Sequence, residues 1–114
     1  MGANIKHLKL HQTRREDESG RISCNYVKGS EFGSSSFNSG DYGIYYNGGF
    51  VPVHLHQNIE EAFYIVRGCG VMTLGSEERP VKAGDLIPIP CGVRHGLRNT
   101  GEDLLEHIVC SAKL

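Results

Sequence analysis

The sequence of 114 residues predicts an all-β fold, a sandwich or barrel of about ten short strands. Three observations carry this. Short runs of three to nine residues rich in apolar side chains recur from one end of the chain to the other, several with period-two alternation. Turn signals separate them: Asn47-Gly48-Gly49, Gly68-Cys69-Gly70, Gly75-Ser76, Ala83-Gly84-Asp85, Cys91-Gly92 and Thr100-Gly101-Glu102. No segment sustains a helical period, and glycine, at 15 residues, is the compositional outlier, as tight turns between strands require.

Taken in order, IKHLKL at 5–10 alternates as an edge strand does, and HQTRREDESG at 11–20 reads as a solvated loop. RISCNYV at 21–27 sets Ile22, Cys24 and Tyr26 on one face. KGSEFGSSSFNSGDYG at 28–43 is too rich in Gly and Ser for a central strand, so a long surface connection is expected there, mobile unless a partner covers it. Strands are then expected at 44–46, 50–56, 61–67, 71–74, 79–82, 85–89, 93–99 and 104–112. Pro52, Pro88 and Pro90 belong at strand ends or bulges, where no ladder donor is needed. The length suits one domain over 1–114, with the N-terminal strands and loop in 1–43.

Composition narrows the function. Twelve Lys and Arg against 13 Asp and Glu leave a net charge of −1 and no basic stripe, which argues against nucleic acid. No apolar run approaches the roughly 18 residues of a membrane span. MGANIKHLKLHQ lacks the apolar core of a secretory signal, and Lys6 stands where a myristoylation motif needs Ser or Thr. Cys24, Cys69, Cys91 and Cys110 show no C-x-x-C spacing and read as four free thiols of a reducing, cytoplasmic compartment.

The chemistry concentrates in HLHQNIEEAFYIVRG at 54–68. His54 and His56, at i and i+2 of a strand, share a face about 6.6 Å apart, from which both imidazoles can reach one ion. A nearby carboxylate would complete a two-histidine, one-carboxylate set with open positions. Alternation alone allows either Glu60 or Glu61, because both faces of the following strand are apolar.

Gly48-GFVPV-His54-Leu-His56-QNIE-Glu61-AFYIVR-Gly68 fits the pattern G-x5-H-x-H-x3,4-E-x6-G, and Gly84-DLIPI-Pro90-Cys-Gly92-VR-His95-GLR-Asn99 fits G-x5-P-x-G-x2-H-x3-N. These are the two motifs of the cupin superfamily, at 48–68 and 84–99, and the chain resembles a small single-domain cupin. The resemblance implies a double-stranded β-helix, or jelly-roll barrel, holding one divalent transition metal (Fe, Mn, Ni, Zn, Co or Cu) on His54, His56, Glu61 and His95. Spacing to Gly68 selects Glu61 over Glu60. The family spans dioxygenases, isomerases, lyases, decarboxylases and non-catalytic binding modules. A metal-dependent enzyme on a small organic substrate is expected, with a lean to a non-haem iron dioxygenase, since only apolar and aromatic lining accompanies the ligands. Tyr46 and His107 are candidates for a general base. Tyr46, Phe50 and Phe63 are the expected cavity lining. Asn99 is expected to satisfy a turn, and Cys91 to be a loop residue. A homodimer is the expected assembly, with IKHLKL and RISCNYV free to extend a partner's sheet.

Overall fold

The computed structural model describes residues 4–8 and 19–114. Among the described residues nine strands form two antiparallel sheets: β1 Arg21–Lys28, β2 Phe37–Tyr45, β3 Phe50–His54, β4 Ile59–Arg67, β5 Cys69–Leu74, β6 Glu77–Lys82, β7 Leu86–Ile89, β8 His95–Asn99 and β9 Leu105–Lys113. One sheet runs β1-β2-β9-β4-β7 and the other β3-β8-β5-β6. A single 3-10 turn, Gly29–Phe32, joins β1 to β2. The all-β jelly roll is as expected, and the four cysteines are free.

Register explains the core. On the five-stranded sheet, Phe63 pairs with Ile87 and Val109, Ile65 with His107, and Tyr45 with Leu105. All of these are buried, and the apolar ones join Met72, Val81 and Leu97 of the facing sheet in one cluster. Each large side chain so enclosed contributes about 1.5–3 kcal/mol. The next row toward one end of the barrel is Ile89–Glu61–Ser111–Ser39. This alternation alone aims Glu61 inward, and it leaves Glu60 exposed beside Ala112.

Two expectations are corrected. Residues 28–43 are not one loop: Phe37–Tyr45 is a central strand between β1 and β9. Its glycines answer to close neighbours rather than to a turn. A Cβ at Gly40 would meet the Tyr26 ring at 2.6 Å, and one at Gly43 would meet His107 Nε2 at 2.4 Å. IKHLKL is not a strand over its described part, 5–8, and residues 9–10 lie outside the described residues, as does 11–18 of the expected loop. RISCNYV does form β1, an edge strand of its sheet.

Candidate metal centre

His54 ends β3, His56 follows two residues on, and His95 opens β8 directly across from His54. The ring centroids are 4.3 Å apart for His54–His95, 5.0 Å for His54–His56 and 5.5 Å for His56–His95. One nitrogen of each ring lies within 4.8 Å of the others, a spacing that can hold one metal ion. The turn before β8 sets this convergence. Gly92 N–H donates to His56 O at 2.7 Å, and the Cys91 thiol lies 3.5 Å from the same oxygen. Cys91 is thus a loop residue that helps tie the two segments together.

The ring orientations follow from backbone carbonyls. His54 Nδ1 is 2.7 Å from Pro52 O and His95 Nδ1 is 2.9 Å from Val93 O. A carbonyl only accepts, so each Nδ1 carries the proton, and in the neutral ring Nε2 presents its lone pair to the cluster. Glu61 Oε1 lies 3.1 Å from His95 Nε2 and 3.3 Å from His56 Nε2. Burial and the neighbouring imidazoles push the His54 pKa down. Burial alone would do the same to His95, but the Glu61 carboxylate and the Val93 carbonyl outweigh it and raise its pKa.

Glu61 Oε1 and His95 Nε2 are both shielded from water, and neither makes a well-directed hydrogen bond. A carboxylate oxygen and an imidazole lone pair at 3.1 Å are two acceptors facing each other. A proton or a cation must lie between them for the contact to be favourable. Three imidazole nitrogens and a carboxylate oxygen are the donor set of a borderline divalent transition ion.

The remaining sequence candidates divide by strand parity. Phe63 is buried and faces inward, its centroid 6.0 Å from His95 and 4.9 Å from His107. His107 is buried but lies beyond Phe63, bonded to Tyr45 Oη at 2.9 Å, so it does not sit beside the cluster. Tyr46 and Phe50 do not line the cavity. Tyr46 follows the inward Tyr45 and is therefore turned out, and Phe50 pairs with exposed Arg98 on the outer face. Asn99 holds the loops: its Nδ2 contacts Tyr45 O, Tyr46 O and Asp103 O, and its Oδ1 accepts from Gly101 N–H. Of the adjacent candidates Tyr45 and Tyr46, sequence reasoning preferred Tyr46, whereas Tyr45 is the buried, inward one; it did not single out the Ser39–Ser111 pair, whose hydroxyls are 3.1 Å apart in the row of Glu61.

Residues 43–110 match the model of the cupin domain family. An uncharacterized protein of Methanocaldococcus jannaschii is 42% identical over 59 residues, 52% of this chain and 47% of that protein. The oxalate-binding protein of Thermotoga maritima is 36% identical over 61 residues, 54% of this chain and 50% of that one. The chain thus spans about half the length of the curated relatives it matches. A crystal structure from Thermotoga maritima, described as a predicted oxalate decarboxylase, superposes with a TM-score of 0.83 at 22% identity, covering 96% of this chain and 100% of that one. At that identity the likeness speaks for the fold. Among the described residues no helix is long and apolar enough to cross a membrane.

Proposed function

The chain belongs to the cupin domain family, and from that premise we propose that it binds one divalent transition metal on His54, His56, Glu61 and His95 and takes a small oxalate-like dicarboxylate at the open side of that centre. The observation that carries the reading is the buried pair of facing acceptors, Glu61 Oε1 and His95 Nε2. Glu61 offsets part of the ion's charge, while Pro52 and Val93 carbonyls keep two Nε2 lone pairs aimed inward. Phe63 and Ile89 wall the inner side against water. A bound ion would supply Lewis acidity to the oxygens of the ligand. Proton transfer near that ligand falls to the cluster's own groups, because Phe63 separates His107 from it.

The dicarboxylate is suggested by the oxalate-binding relative, whose matched segment covers about half of the chain. That relative favours acid binding, with or without turnover, over the dioxygenase expectation. A cytoplasmic homodimer remains part of the proposal.

The test is elemental analysis of protein purified without added metal, then calorimetry with oxalate before and after chelation. One ion per chain and oxalate binding that vanishes on chelation are expected. Absence of bound metal together with no uptake on reconstitution would sink the metal reading. Metal without oxalate binding would sink the dicarboxylate part alone.

A further inference from the structure

The outer faces of the two sheets differ in character. Over the four-stranded sheet an ion pair spans the middle, from Arg98 of β8 across β5 to Glu78 of β6 at 2.9 Å. The centre of the five-stranded face carries uncharged residues instead. Register sets two such rows side by side there, Pro88–Ala62–Cys110–Gly40 and Leu86–Tyr64–Ile108–Tyr42. Charge returns beyond them, with Glu60 at one end and the Arg67–Asp103–Glu106 group at the other.

The first row is low and the second is high. Ala62, Cys110 and Ala112 floor a groove of about 470 Å³, walled by Phe37, Pro88 and Pro90. In the second row Tyr64 is 46% exposed and Leu86 65%, so two large side chains stand proud of the sheet. Small residues thus leave a hollow beside a ridge, and successive outward residues of one strand are only about 6.6 Å apart. The backbone groups of β4 and β9 under the groove are committed to ladder pairing, and Glu61 and Ser111 turn their side chains to the inner face. That leaves Glu60 and the Cys110 thiol as the polar side chains of the groove, too few to orient a small ligand.

We propose that a second copy of this chain docks on this face, the two five-stranded sheets packing back to back with Tyr64 of each copy in the Ala62–Cys110–Ala112 groove of the other. A two-fold axis between the two rows seats both tyrosines at once, because a self-complementary patch needs its knob and its hole on either side of the axis. Stacked sheets lie about 10 Å apart, and ridge against hollow fills that layer. The size suffices. Five strands at about 4.8 Å and the nine residues of β9 at about 3.3 Å make a face of roughly 24 by 30 Å, or about 700 Å² before side-chain relief. A standard interface takes about 800 Å² from each partner, with an uncharged centre and a polar rim. The inference rests on the homodimer proposed above and gives it a surface, moving the contact from the edge of β1 to the face of the sheet. No metal ligand has its side chain there.

The experiment is sedimentation of the full chain over a concentration series, with and without chelation. A reversible monomer–dimer equilibrium is expected in both states. Tyr64→Arg and Ala62→Arg should each weaken it at least about 30-fold, the lower bound for a central anchor. Phe50→Ser, at a side chain 41% exposed on the other sheet, should leave it unchanged. The wild type supplies a second readout. Cys110 and Cys69 are both exposed in the single chain, and alkylation mapped by mass spectrometry should slow at Cys110 and not at Cys69 as the dimer forms. A chain that stays monomeric at every concentration would overturn the proposal and the homodimer with it, leaving the metal centre untouched. A dimer that neither arginine variant weakens, that Phe50→Ser dissolves, or in which Cys110 reacts as fast as in the monomer would overturn the proposed face alone. Should the arginine variants fail to fold, Cys110 protection in the wild type decides.

Discussion

Buried His107 makes the fold acid-sensitive by an amount that can be worked out. The folded protein refuses a proton at this ring until about pH 3, whereas the unfolded chain accepts one near the ordinary value of 6.5. Below pH 6.5 the unfolded state therefore holds the extra proton, and stability falls as pH falls. Between pH 7 and pH 5 the two states diverge by nearly 1.4 pK units of proton uptake, about 2 kcal/mol at 1.36 kcal/mol per unit. The other histidines contribute as well. His54, also lowered, loses stability in the same direction, while His95, raised by Glu61, gains it. Both persist in a His107→Phe variant, so subtraction isolates His107. Phenylalanine suits the site because Phe63 already stacks there at 4.9 Å, and the lost bond to Tyr45 counts equally at both pH values. The assay is urea unfolding of chelated wild type and variant at pH 7 and pH 5. The wild type is expected to lose about 2 kcal/mol more than the variant on acidification. An equal loss in both would refute the reasoning, because His107 would then titrate normally.

Two further predictions follow from neighbouring contacts. Glu61→Gln removes the charge that faces His56 and His95, and metal affinity should fall at least 10- to 100-fold, about 1.4–2.7 kcal/mol, while Glu60→Gln on the exposed face changes it by less than about 0.5 kcal/mol. Parallel metal titrations check the pair, and the opposite ranking would reassign the carboxylate. Asn99→Ala breaks the anchor of Tyr45 O, Tyr46 O, Asp103 O and Gly101 N–H. The amide has two protons for three carbonyls, so about three bonds at about 1 kcal/mol each are lost, and calorimetry should show Tm lower by on the order of 10 °C.

The gathering of His54, His56 and His95 was legible through the two motifs of the resemblance, and one motif position has a plain backbone reason. Gly92 has φ of 82°, a left-handed conformation that favours glycine, and its N–H ties the turn to His56. Strand positions along the chain from Phe50 onward were legible as well, within a few residues. The segment 28–43 misled because composition cannot tell a glycine that bends the chain from one that admits a neighbour. Gly40 and Gly43 are of the second kind, making space for Tyr26 and His107 from elsewhere in the fold. Tyr46 and Phe50 failed for a different reason. In IYY and FVPV both parities carry large side chains, so alternation had no contrast to read, and only pairing with β9 and β8 decides which side faces in.

The tie between the Cys91–Gly92 turn and His56 has a kinetic consequence. The donors reach the cluster from β3, β4 and β8, and His95 meets His54 only through pairing between strands far apart in sequence. Closing so long a stretch of chain costs entropy before any contact repays it, and folds built on such pairings form slowly, in milliseconds to seconds. Until β8 docks, the growing chain offers an ion only His54, His56 and the nearby carboxylates, a loose and exposed set. Ion capture should accordingly come late in folding and act as a latch on the finished barrel, slowing its opening rather than hastening its formation.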